Sequence, residues 1–95
     1  MSSRSNSSVG GPDDEQLVAA CRDGAKEAFG ELVTRYQDRV FSLALRLTGD
    51  RDDALETAQE AFLNAFRAID SFRGDSSFYT WLFRITVNVV RNRRR

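Results

Sequence analysis

Helix-breaking residues are scarce in this chain, and their scarcity restricts its fold more than any other feature. The only proline is Pro12, and Gly24, Gly49 and Gly74 separate four segments in which apolar residues recur every three or four positions. That spacing is the period of an α-helix with one buried face. Alternation of apolar and polar residues, which marks a strand, never persists. The sequence therefore predicts an all-α fold, a small bundle of three to four helices.

Capping residues predict the bounds of the first two helices. Either Asp13 or Asp14 can accept hydrogen bonds from the free N–H groups at the start of a short first helix, which would end near Gly24. A second, longer helix is predicted over residues 25–48. Gly49 follows it and suits the left-handed conformation just past a helix end, which residues with a side chain rarely adopt.

The next two helices are bounded in the same way. Asp50 is the predicted N-cap of a third helix that reaches about residue 72, where Gly74 would close it. Ser76 or Ser77 would then open the fourth helix.

The third helix is predicted to have an alanine-rich buried side and an acidic exposed side. Small residues on the buried side would let a neighbouring helix approach closely. The buried side consists of Ala54, Ala58, Ala61, Phe62, Ala65, Phe66 and Ile69. The opposite side carries Asp53, Glu56, Glu60, Asn64 and Arg67.

Three faces are predicted for the fourth helix. The face expected in the core holds Phe78, Trp81, Leu82, Ile85 and Val89. A polar face beside it holds Thr80, Arg84, Asn88, Arg91, Asn92 and Arg95. The third face, with Tyr79, Phe83 and Val90, is apolar, either as a second layer of core or as a surface on which bases stack. The asparagines are compatible with ordinary solvent exposure as well as with a base-edge contact.

Charge is segregated along the chain although the formal net charge is zero. Residues 1–71 carry eight basic and thirteen acidic side chains, a net −5, whereas residues 72–95 carry six arginines and one aspartate, a net +5. The arginines near the end of the chain repel one another unless a polyanion lies close by. Aromatic rings beside them favour single-stranded or melted nucleic acid, whose unstacked bases expose a face that a ring can cover.

Composition argues against an enzyme. The chain has one cysteine and no histidine, so it lacks an intramolecular disulfide, the commonest general base and the commonest nitrogen ligand of zinc. No cofactor or metal is expected. Residues 1–12 are expected to form a flexible tail before a single domain, residues 13–95. No apolar run approaches the roughly 18 residues that span a bilayer, and no signal peptide is recognisable, so we expect a cytoplasmic protein without membrane insertion.

Three blocks of the sequence resemble the second conserved region of extracytoplasmic-function (ECF) sigma factors. Residues 29–40 are similar to the opening helix of that region, residues 53–62 to its polymerase-binding helix, and residues 71–88 to the loop and helix that melt and read the −10 promoter element. The third block is the most specific, and the order and spacing of all three match. The resemblance covers about two-thirds of the chain.

The resemblance implies two partners and the residues that meet them. The first is core RNA polymerase, whose β′ clamp coiled coil would contact Asp53, Glu56, Gln59, Glu60 and Asn64. The second is promoter DNA, the non-template strand of the −10 element. Its implied contacts are the loop residues Phe72, Arg73, Gly74, Asp75, Ser76 and Ser77, which would enclose a flipped base, and the helix residues Tyr79, Arg84, Asn88, Arg91 and Asn92.

The sequence departs from the family pattern at three points. Thr57 stands where an aliphatic residue is usual, and Leu55 where an acidic residue is common. Nothing follows Arg95, so the family's C-terminal region 4 domain is expected to be absent from this chain. An alternative function is a helical interaction module that mainly binds a regulatory anti-sigma partner through the same surface.

Overall fold

The computed structural model describes residues 13–93 and consists of four α-helices within that range. They are α1 (Asp14–Arg22), α2 (Lys26–Thr48), α3 (Arg51–Ala68) and α4 (Phe78–Arg93), with a 3-10 turn (Ile69–Ser71) directly after α3. No strand occurs in this part of the chain, and the predicted all-α fold is confirmed. The predicted tail, residues 1–12, and Arg95 lie outside the described residues.

The caps predicted at the start of α1, at the end of α2 and at the start of α3 are confirmed. Asp13 and Gln16 form a capping box before α1, in which each side chain accepts a hydrogen bond of 2.9 Å from the other's backbone N–H. Gly49 ends α2 with φ of 73°, in the left-handed region. Asp50 caps α3 by accepting a 2.9 Å hydrogen bond from the N–H of Asp53.

The third helix ends close to the predicted residue, but its last turn, Ile69–Ser71, is a 3-10 helix, and the predicted Gly74 cap is wrong. The α-helical part stops at Ala68, and Phe72 is already extended, with φ of −69° and ψ of 121°. Gly74, with φ of 80°, therefore lies in the loop and does not cap α3. The reason is packing, because Phe72 must leave the helix for its ring to reach Phe78 and Trp81, at centroid distances of 6.0 and 5.1 Å.

The core lies where α3 packs against α2 and α4, with α1 packed against α2. Small residues on α3 allow the close approach that the sequence predicts, since Ala54, Ala61 and Ala65 are fully buried. The large buried side chains that meet them include Leu32, Val40, Leu82 and Val89. None of the helices within residues 13–93 is long and apolar enough to cross a membrane.

Three side chains differ clearly from the predicted buried faces, and four further members of those faces are only half-buried, namely Ala58, Phe62, Trp81 and Ile85. Phe66, predicted to be buried, is 37% exposed and contacts Phe29 edge-on, with ring centroids 5.1 Å apart. Thr57 and Thr86 were assigned to no buried face and are fully buried. Sequence periodicity missed the threonines because their hydroxyl groups count as polar, although their size suits a tight helix contact.

Candidate functional site

The polar face of α3 is accessible over most of its length. Asp53, Glu56 and Gln59 are exposed, while Glu60 and Asn64 are half-buried. Their positions lie three or four residues apart, which places them along one side of the helix, as the sequence predicts. This row, here called the acidic face, is a favourable site for a basic partner.

Arg93, at the end of α4, occupies part of the acidic face. Its Nη2 lies 2.7 Å from Oε1 of Glu56 and 3.9 Å from Oδ1 of Asp53, and its Nη1 lies 3.4 Å from Oε1 of Glu60. The hydrogen bond with Glu56 is the main cause of a raised Arg93 pKa. Sequence reasoning missed this contact, because no local signal pairs residues 33 to 40 positions apart.

An apolar groove runs beside the acidic face, between α2 and α3. It has a volume of about 500 Å³ and shares Gln59 with the face. The remaining lining residues are Val33, Gln37, Asp38, Phe41, Leu55, Ala58 and Phe62. Leu55, noted in the sequence only as a departure from the family pattern, is 44% exposed at this groove. An exposed leucine beside an aromatic-lined groove is the composition of a helix-docking surface.

The loop between the 3-10 turn and α4 combines one buried residue with several accessible ones. Phe72 is only 8% exposed, so its ring supports the loop from the core side. The accessible residues are Arg73, Gly74, Asp75 and Ser77, while Ser76 is half-buried.

Ser77, one of the two serines that the sequence offered, caps α4. Its Oγ accepts a 3.1 Å hydrogen bond from the N–H of Thr80 and also donates to the Thr80 hydroxyl at 3.0 Å. The start of α4 is therefore fixed beside the loop.

The predicted polar face of α4 is exposed to solvent. Arg84, Asn88, Arg91 and Asn92 are all accessible, and their spacing aligns them along one side of the helix. Neither Arg84 nor Arg91 forms an ion pair with any residue in the range 13–93. Two unpaired guanidinium groups interleaved with two side-chain amides can contact phosphates and base edges together.

The sequence left two alternatives for the third face of α4, a second layer of core or an exposed surface, and its residues differ in which of the two they fit. Val90 is buried and belongs to the core. Phe83 is 39% exposed, and Tyr79, which is half-buried, stacks on Tyr36 with ring centroids 5.4 Å apart. The aromatic part of this face is thus a surface rather than a second layer of core.

Sequence comparison places the chain beside bacterial transcription proteins. A family model, sigma-70 region 2, matches residues 32–95. The RNA polymerase sigma-H factor of Pseudomonas aeruginosa is 48% identical over 79 residues, and the ECF RNA polymerase sigma-E factor of Escherichia coli K12 is 51% identical over the same length. Each alignment covers 83% of this chain and 41% of the relative, so the chain spans less than half the length of these curated relatives.

Two solved structures share the fold. An engineered region 2 of sigmaE, determined by NMR in complex with GTAAAA, superposes with a TM-score of 0.80 and 43% identity, covering 85% of this chain and 84% of that one. CnrH, in complex with the cytosolic domain of CnrY, superposes with a TM-score of 0.76 and 34% identity, covering 83% of this chain and 51% of that one.

Proposed function

The chain belongs to the sigma-70 family, with the region 2 domain of an ECF sigma factor, and we propose that it binds core RNA polymerase and recognises and melts the −10 promoter element. The observation that carries the proposal is the exposed row of Arg84, Asn88, Arg91 and Asn92 on α4. Most of this helix lies in the block, residues 71–88, that resembles the promoter-reading loop and helix. The role is in transcription initiation, in the cytoplasm, and involves no catalysis by this domain.

The acidic face of α3 is the proposed polymerase-binding surface. Asp53, Glu56, Gln59, Glu60 and Asn64 would meet a basic helix pair of the β′ clamp, with the neighbouring apolar groove supplying buried contact area. Complementary charge of this kind speeds association and makes binding sensitive to salt.

Charge reversal on the acidic face tests this contact. Glu56→Lys combined with Glu60→Lys should abolish binding of a β′ clamp coiled-coil fragment. Glu15→Lys combined with Glu27→Lys is a matched control, since both residues are exposed on other helices and the change in net charge is equal. Because the first pair also removes two partners of Arg93, the thermal midpoint of each variant should be measured. Clamp binding equal to that of the parent would refute the assignment.

The loop and α4 are the proposed DNA-binding surface. Residues 72–77 would enclose one extruded base of the non-template strand, with Tyr79 beside them, and the exposed row on α4 would contact the strand that follows. The similar engineered region 2 of sigmaE, in complex with GTAAAA, supports this assignment.

Single substitutions on α4 separate base reading from phosphate contact. Arg84→Ala should weaken binding to every single-stranded oligonucleotide and lower the salt slope by about one. Asn88→Ala should cost roughly 1–3 kcal/mol on an oligonucleotide containing GTAAAA, and much less on a scrambled one. If Asn88→Ala lowers the affinity for both oligonucleotides equally, Asn88 contacts the sugar-phosphate backbone of the DNA and not a base edge.

A loop exchange tests the base pocket. Residues 73–76 are replaced by glycine and serine, and Ser77 is retained because it caps α4. Discrimination at one base of the oligonucleotide should disappear, while affinity for unrelated single strands changes little. An unchanged base preference would place all specificity on α4.

The groove between α2 and α3 favours a second, compatible function, the binding of an anti-sigma partner. The similar protein CnrH forms a complex with the cytosolic domain of CnrY. The groove, with a volume of about 500 Å³ and a lining that includes Phe41, Leu55 and Phe62, offers contacts for apolar side chains of a partner helix. Leu55→Asp should weaken the binding of such a partner and leave oligonucleotide binding unchanged.

A further inference from the structure

A second groove lies between α2 and α4, and most of its residues belong to none of the surfaces described above. Its volume is about 270 Å³. The groove is lined by Asp38, Arg39, Ser42, Leu43 and Arg46 of α2 together with Tyr79 and Phe83 of α4. Of these residues, only Tyr79 belongs to the surfaces inferred from the family resemblance. The groove therefore needs its own explanation.

The aromatic rings of this groove form a supported platform. Tyr79 contacts Phe83 with ring centroids 6.2 Å apart, and its ring is held by stacking on Tyr36. The Arg39 guanidinium carbon lies 5.5 Å from the centroid of Tyr79 and 5.8 Å from that of Tyr36, within cation–π range. Phe83 remains 39% exposed on this platform, so one ring is open to a ligand.

Two arginines line the same groove as the open ring. Arg39 and Arg46 stand seven residues apart on α2, two helical turns along the same side, and neither forms an ion pair within residues 13–93. Asp38 is the one acidic residue among those that line the groove. An open ring flanked by unpaired guanidinium groups matches a nucleotide, whose base stacks while its phosphates are held.

We propose that this groove is a second subsite for single-stranded nucleic acid, in which a base stacks on Phe83 while Arg39 and Arg46 contact the adjoining phosphates. The inference rests on the proposed function, since the same strand would also contact the row on α4. Phe83 directly precedes Arg84 of that row, so a strand leaving the row can enter the groove. Stacking accepts any base, and the subsite adds affinity without sequence preference.

Fluorescence anisotropy with three labelled DNA oligonucleotides tests the subsite. One is GTAAAA alone, and the other two carry three further nucleotides, one strand at the 5′ end and the other at the 3′ end. The parent chain should bind one of the extended strands at least about fivefold more tightly than the short one, the gain expected from one stacked base. The Phe83→Ala variant should bind the extended strand no more tightly than the short one, whereas the Phe83→Tyr variant should keep the parent's preference for the extended strand. Arg46→Ala should lower the salt slope for the extended strand alone by about one.

A matched variant controls for the loss of an exposed ring. Phe66 on α3 is 37% exposed and does not line the groove, so Phe66→Ala should leave the gain unchanged. If Phe83→Ala and Arg46→Ala bind the extended strand as the parent does, while Asn88→Ala still weakens GTAAAA, the subsite is refuted and the proposed function stands. If the parent binds no oligonucleotide, both are refuted.

Discussion

The hydroxyl group of Thr57 is buried within α3, and its Oγ1 has no hydrogen-bond partner among the described residues. Burying an unpaired hydroxyl costs free energy, whereas valine has nearly the same shape and no such cost. Thr57→Val should therefore raise the free energy of unfolding by about 1 kcal/mol, measured by urea denaturation.

Thr86 is the matched control for this substitution. It is equally buried, but its Oγ1 donates a 2.9 Å hydrogen bond to the carbonyl oxygen of Leu82. Thr86→Val removes a satisfied group and should not raise the free energy of unfolding. If both valine variants are stabilised equally, the missing partner of Thr57 is not the cause.

Arg93 is a partner of the acidic face within the chain itself. In the proposed complex, a basic helix pair of the polymerase would have to compete with the ion pairs of Arg93 to Glu56 and Glu60. Arg93→Ala should tighten binding of a β′ clamp fragment about two- to fivefold, the range of an exposed ion pair. Arg91→Ala removes the same charge without freeing a carboxylate and should have little effect. Weaker binding by Arg93→Ala would show that Arg93 itself contacts the clamp.

A side-chain hydrogen bond joins α1 to α2, in addition to the apolar contact made by the buried Leu17 and Val18 of α1. Tyr36 of α2 donates its hydroxyl to the Asp14 carboxylate of α1, which also pairs with Arg35 at 3.1 Å. Burial and then this hydrogen bond raise the pKa of Tyr36 to about 12 from its ordinary value of 10. The folded chain therefore holds the Tyr36 proton more tightly than the unfolded chain does.

A pH dependence follows from the direction of this shift. A raised pKa in the folded state gives stability that is complete below pH 10 and is lost as the pH rises to about 12. Tyr36→Phe should lower the urea midpoint at pH 9 and should show a smaller drop than the parent between pH 9 and 11.5. Tyr79→Phe keeps the Tyr36–Asp14 hydrogen bond and should show the full drop. An equal drop in the parent and in Tyr36→Phe would contradict the assignment.

The whole molecule is organised around α3, whose small residues bring α2 and α4 together. Ala61 is fully buried in that contact, so a larger side chain would force the helices apart. Ala61→Leu should lower the free energy of unfolding by about 1–3 kcal/mol, the usual cost of overpacking. Ala19→Leu, at an exposed position on α1, should change it by less than about 0.5 kcal/mol. Thermal or urea denaturation checks both, and equal effects would place Ala61 outside the tight core.

The amino-acid sequence alone determined the helices, most of their bounds and the exposed rows on α3 and α4. These features depend on residues a few positions apart, namely the apolar period, the Asp13, Asp50 and Ser77 caps and the left-handed Gly49. The resemblance to ECF sigma factors drew on the same local blocks of sequence.

Tertiary structure alone decided which distant residues meet. Arg93 lies on the acidic face, Phe72 leaves α3 early to enter the core, and Arg39 of α2 lies over the ring of Tyr79 of α4. Each contact joins helices or turns whose relative position comes from the packing of the whole bundle. Periodicity gives the face of a helix but not the neighbour that the face will find, because that depends on the volumes and crossing angles of every helix in the core.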